Sequence, residues 1–103
     1  MICVTGDERT IILGILDRLV PECEVRVFGS RRNGPHKPWS DLDLVVAGDI
    51  AQELSRMGEL QEAFAESDLP YRVDVLDWHA IPQRFRDNIL RGGYEVLKEA
   101  SVS

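Results

Sequence analysis

Two carboxylates stand two residues apart in Asp41-Leu42-Asp43, and a third, Asp74, sits between valines in Val73-Asp74-Val75. Side chains alternate along an extended strand. Asp41 and Asp43 therefore share a face, with alpha carbons about 7 Å apart, while Leu42 and Leu44 take the other. By the same rule Asp74 faces away from Val73 and Val75. If the two segments are neighbouring strands, the three carboxylates form one acidic cluster. Like charges about 6 Å apart repel by roughly 3 kcal/mol at an effective dielectric near 20. A small domain is stable by only ~5–15 kcal/mol, so such a cluster calls for a counter-charge. Divalent cations supply it, and oxygen-only ligands favour Mg²⁺ or Mn²⁺. Asp77 lies three residues past Asp74 and faces the other way if the strand continues, which leaves Asp74 as the better third ligand.

The segment before the aspartates carries the opposite chemistry. Gly29-Ser30 follows an apolar run, where a tight turn can aim backbone N–H groups and a hydroxyl at phosphate. Arg31, Arg32 and Lys37 add positive charge to the same loop. A nucleoside triphosphate would meet donors on one side and metal-holding carboxylates on the other, which is what phosphoryl and nucleotidyl transfer require. Taken singly, Gly29-Ser30 is an ordinary turn and Asp41 with Asp43 a solvated strand start. Their joint spacing, with Asp74 on a second strand, is what points to a site. His36 and His79 have no partner at metal spacing and read as surface residues. Trp39 offers either a base-stacking surface or a packed loop anchor.

The elements that must hold these residues can be read from capping and periodicity. Thr5-Gly6-Asp7-Glu8 is a capping box, and Ile12, Ile15, Leu16 and Leu19 then recur at helical spacing until Pro21. Val25, Val27 and Phe28 make a short strand that ends at Gly29. The stretch 30–40, with Gly34, Pro35 and Pro38, is a loop. A second strand covers Asp41 to Ala47. Asp49 is expected to cap a second helix whose apolar face holds Ile50, Leu54, Met57 and Phe64. Tyr71 to Leu76 is a third strand. Pro82 opens a third helix with Phe85, Ile89 and Leu90 on its apolar side and Arg84, Arg86 and Arg91 on a solvated face. Gly92-Gly93 ends that helix, and Tyr94 to Leu97 adds a short edge strand. The class is α+β, a small mixed sheet with helices packed on one face.

The chain has 103 residues, enough for a single domain over 1–103. Its formal net charge of −6 is the wrong sign for a free-standing nucleic-acid binder, so direct nucleic-acid binding is not expected. Two cysteines, Cys3 and Cys23, form neither a disulfide framework nor a zinc motif and read as buried free thiols. No apolar run spans a membrane, and the start of the chain lacks the layout of a signal peptide, so a cytoplasmic location is expected.

Gly29-Ser30, ten intervening residues, then Asp41-Leu42-Asp43 resembles the signature of the polymerase β nucleotidyltransferase superfamily. The fuller text VFGSRRNGPHKPWSDLDLVV is similar to its minimal nucleotidyltransferase (MNT) branch, and the likeness covers nearly the whole chain. The resemblance implies that Asp41, Asp43 and Asp74 bind Mg²⁺, with Asp74 also helping to activate the acceptor hydroxyl. It implies that Gly29 and Ser30 hold the phosphates of ATP, with Arg31 as a further phosphate contact. The loop Asn33–Trp39 is bulkier and richer in proline than that family's pattern, which bears on acceptor and base contacts. MNT proteins are often paired with HEPN-domain toxins, which they adenylylate as antitoxins, so a HEPN partner and AMP transfer onto a protein hydroxyl are expected. A non-catalytic nucleotide-binding or toxin-masking subunit is one alternative. Transfer to a small molecule of the aminoglycoside type is another. The short chain and open site leave room for a homo-oligomer or a partner to complete the acceptor side.

Overall fold

Thr5 opens the first helix, as its capping box predicts. Its hydroxyl accepts the Glu8 N–H at 3.1 Å, and the Glu8 carboxylate accepts the Thr5 N–H at 3.0 Å. In the computed structural model, which describes residues 2–29, 31 and 40–100, this helix is α1 (Gly6–Leu19). The remaining elements are β1 (Glu24–Phe28), β2 (Leu42–Ala47), α2 (Leu54–Ala65), β3 (Val73–Asp77), α3 (Gln83–Gly92) and β4 (Glu95–Lys98). The four strands form one sheet in the order β3-β2-β1-β4. β1 runs antiparallel to both β2 and β4, and β2 runs parallel to β3, so the sheet is mixed as the sequence reading expects.

Strand alternation divides the residues between two faces. Val25 and Val27 of β1, Leu42, Leu44 and Val46 of β2, and Val73 of β3 meet Ile12, Ile15 and Leu16 of α1 and Leu60 and Phe64 of α2 in one core. Six strand side chains are thus buried against two helices, at roughly 1.5–3 kcal/mol for each such side chain. The opposite face carries Glu24, Arg26 and Phe28 on β1 and Asp43 and Val45 on β2. Phe85 of α3 meets Phe28 there edge to face, with ring centroids 6.0 Å apart. Arg26 lies between the Trp78 and Tyr94 rings, 5.1 and 4.7 Å from their centroids. Ile89 is the buried residue of α3, whereas Phe85 and Leu90 stay partly exposed.

One element begins later than its sequence suggests. The helix expected from Asp49 starts at Leu54 with Glu53 at its N-cap and no side-chain cap. Ile50 and Leu54 stand exposed, and Leu60 takes the buried place beside Phe64. The reason is Asp77. Its buried carboxylate accepts the Gln52 N–H at 2.8 Å and the His79 N–H at 3.0 Å, which holds the segment ahead of α2 out of the helix. Asp77 thus faces away from Asp74, as expected, and serves the fold. Gln61 of α2 acts on the outer edge of β3. Its amide donates to the Val73 carbonyl at 2.6 Å and accepts the Val75 N–H at 3.2 Å, satisfying two edge groups that no strand pairs.

Candidate active site

The parallel register of β2 and β3 sets Asp43 directly beside Asp74. Both point away from the α1–α2 core, because their neighbours Leu42, Leu44 and Val73 point into it. Each is half-buried, and Asp41, one residue ahead of β2, is exposed. Burial pushes the Asp43 carboxyl above its ordinary range, and the charges of Asp74 and Asp41 push it further the same way. The anionic form of Asp43 is therefore the under-compensated one, the condition a divalent cation relieves.

The trio is looser than the sequence suggests. Among the described residues, no group of three His, Cys, Asp or Glu side chains is arranged to hold a metal ion. Two local causes are visible. Asp41 precedes the strand that fixes Asp43, and an Asp74 oxygen accepts a hydrogen bond from Arg72 Nε at 3.0 Å. The Arg72 side chain is 73% exposed, so the pair is solvent-screened and contributes ~0–1 kcal/mol, little enough for a cation to displace it. Arg72 is absent from the sequence reading, although its position two residues before Asp74 puts it on the same face of an extended chain.

Gly29 ends β1 with φ +78°, a conformation that side chains rarely adopt. A Cβ built there would overlap the Asp43 carboxylate. The turn expected at the phosphates is thus backed against the acid pair with no side chain between them. Ser30, Arg32, His36, Lys37 and Trp39 lie outside the described residues.

Arg31, expected as a phosphate contact, has its side chain turned inward. It is 3% exposed, and its guanidinium donates to the Ser40 carbonyl at 2.8 Å and the Cys3 carbonyl at 3.0 Å. The Cys3 N–H returns a bond to the Arg31 carbonyl at 2.8 Å. The charged head also lies over the Tyr71 ring. Tyr71 in turn donates to Glu8 at 3.0 Å, and burial followed by that bond pushes its phenol above the usual range. These contacts tie the residue after the phosphate turn to the residue before Asp41. No short-range pattern in the sequence marks Tyr71 and Glu8 as anchors of Arg31.

The family model for "Polymerase beta, Nucleotidyltransferase" matches residues 23–101. A relative from Haemophilus influenzae, named "Probable protein adenylyltransferase MntA", is 43% identical over 96 residues, covering 93% of this chain and 83% of its own. A crystal structure of a toxin–antitoxin with AMP-PNP superposes with a TM-score of 0.71 at 22% identity, over 90% of this chain and 74% of that one. A second, of a tri-AMPylated Shewanella oneidensis HEPN toxin in complex with MNT antitoxin, gives 0.66 at 18% identity, over 89% of this chain and 70% of that one. These two structures share the fold. The matched span holds the turn at Gly29, the Asp43–Asp74 pair and the sheet that aligns them, and with it the chain belongs to the polymerase β nucleotidyltransferase family.

Proposed function

We propose that this chain transfers AMP from ATP to a hydroxyl on a partner protein, a HEPN-domain toxin, and so acts as its antitoxin. The observation that carries the chemistry is the Asp43–Asp74 register pair with Gly29 packed against it. The acceptor rests on the H. influenzae relative's name and on the complexes that share the fold.

The donor set is all carboxylate oxygen, which fits a hard cation such as Mg²⁺. Asp41, Asp43 and Asp74 would hold it, with Asp41 swinging in from its exposed position. When bound, the cation supplies charge neutralisation for the triphosphate and polarises the transferred phosphoryl group. Backbone N–H groups of the turn at Gly29 and the Ser30 hydroxyl orient the β- and γ-phosphates. Asp74 accepts the proton of the acceptor hydroxyl, whose oxygen bonds to the α-phosphorus. The bond from that phosphorus to the bridging oxygen breaks, and pyrophosphate leaves. Arg31 is assigned to holding the loop ends together, not to the phosphates.

The net charge of −6 supports a protein acceptor over a nucleic acid. Among the described residues no helix is long and apolar enough to cross a membrane, and a cytoplasmic site of action agrees with an ATP substrate.

Label transfer from α-³²P-ATP with Mg²⁺ to a co-expressed HEPN partner tests this reading. Label on the partner that vanishes with Asp43→Asn and Asp74→Asn is expected. Partner binding and neutralisation that persist in both variants, with no label from any nucleotide, would replace it with a masking subunit.

A further inference from the structure

A broad groove of about 930 Å³ lies at the end of the sheet away from the acid pair. Cys23, just ahead of β1, and Gly48, just past β2, both line it. The β1–β2 register puts Phe28 beside Asp43 and Glu24 beside Ala47, so about 13 Å of strand separates the groove from the reacting end. Ile50 and Ala51 stand exposed on its wall, and Leu54 is exposed one residue past Glu53.

The segment that carries these side chains is held from several directions. Beyond the bond from the Gln52 N–H to Asp77, the Gln52 amide donates to the Ile50 carbonyl at 3.1 Å and accepts from Arg56 at 2.9 Å. Arg56 also donates to the Leu19 carbonyl at 2.7 Å, and the His79 ring meets the Gly48 carbonyl at 2.6 Å. A buried carboxylate and a cation from α2 thus fix irregular backbone whose aliphatic side chains face water. Aliphatic groups displayed on a fixed backbone suit protein docking, because little ordering remains to be done on binding.

Charge selects the occupant. Glu22, Asp49 and Glu53 line the groove against one cation, Arg56, which is already bonded to Glu22. Asp49 and Glu53, both exposed, therefore flank Ile50 with negative charge. Polyphosphate would be repelled there, and a second copy of this chain, at −6, would bring the same sign. A cationic protein surface with an aliphatic anchor is what remains complementary.

We propose that this groove is the docking site for the toxin partner. It takes a segment in which an aliphatic side chain seats beside Ile50, between Lys or Arg residues that meet Asp49 and Glu53. The inference rests on the antitoxin reading and deepens it: the partner is held at one end of the sheet while its hydroxyl reacts at the other.

The test is the affinity of the purified HEPN partner for wild type, Ile50→Ser, Asp49→Lys and Asp43→Asn, by calorimetry beside a melting curve for each. Ile50→Ser should weaken binding about tenfold and Asp49→Lys at least as much, both with wild-type melting curves. Asp43→Asn should bind within about twofold of wild type, since it lies far from the groove. Added salt should weaken the wild-type complex more than the Asp49→Lys complex. Wild-type affinity in both groove variants would overturn the assignment. So would an Ile50→Ser chain that loses self-association in sedimentation but keeps the partner. A wild-type chain that does not bind the HEPN partner would instead remove the antitoxin reading beneath it.

Discussion

The guanidinium of Arg31 lies 3.8 Å from the centre of the Tyr71 ring, just upstream of the strand that carries Asp74. Arg31 directly follows the phosphate turn Gly29-Ser30 and bonds the carbonyl that precedes Asp41. A single side chain thus sets the turn, the aspartate strand and the third strand in fixed relation.

Replacing Arg31 by Ala should lower stability by about 1–3 kcal/mol in thermal or urea unfolding, since two partly buried carbonyls lose a charged donor. Lysine should restore less than half, because an ammonium cannot bond both carbonyls in the plane of a stacked guanidinium. Transfer activity should fall in both variants, with the effect on KM for ATP exceeding that on partner binding.

Tyr71 gives the fold an alkaline limit. Its folded pKa is raised by burial and by its bond to Glu8, so its stabilising contribution is intact below the ordinary phenol value of about 10. That contribution is lost as pH rises from there through the folded value. Unfolding followed between pH 8 and 11 should show wild type losing stability above pH 10, and Tyr71→Phe should flatten that loss. The same variant should cost about 1 kcal/mol at pH 7 through the missing hydroxyl.

Gly29→Ala should separate stability from activity. The methyl group displaces the Asp43 carboxylate and strains a positive φ, at about 1–2 kcal/mol. Moving one acid by an ångström should reduce transfer about 10²-fold, read in the label assay beside a melting curve.

Much of this is legible in the sequence. The capping box at Thr5, the alternation of Leu42 and Leu44 with the aspartates, and Pro82 ahead of α3 are local signals with local causes. So is the spacing of Gly29 from Asp41 and Asp43. What escaped was decided by distant partners. Asp77 delays α2 through a bond to Gln52, and Tyr71 with Glu8 draws Arg31 inward. Those pairings join residues far apart in the chain, and no periodicity records them. The side of Asp43 on which Asp74 stands was likewise set by strand order.

Gln61→Ala should expose two edge groups of β3 at Val73 and Val75. A loss of about 1–2 kcal/mol is expected on unfolding, with faster self-association in light scattering, because an unpaired edge is a template for another strand.

Ile50→Ser and Leu54→Ser should be silent in stability, within about 0.5 kcal/mol, since these side chains are 75% and 88% exposed. A melting temperature that falls substantially in either would mean that the segment ahead of α2 packs in solution.

Because β2 and β3 run parallel, the chain must travel back from the end of one to the start of the other, and α2 makes that return. Residues gained or lost in the exposed turns on either side of α2 leave Asp43 opposite Asp74. A single deletion inside Val73–Asp77 does the reverse, turning a carboxylate into the core and a valine out of it. The connection can therefore change length without disturbing the acid pair wherever it leaves the Gln52–Asp77 bond and the Tyr71 contacts in place, while the strands themselves tolerate substitution but no change of length.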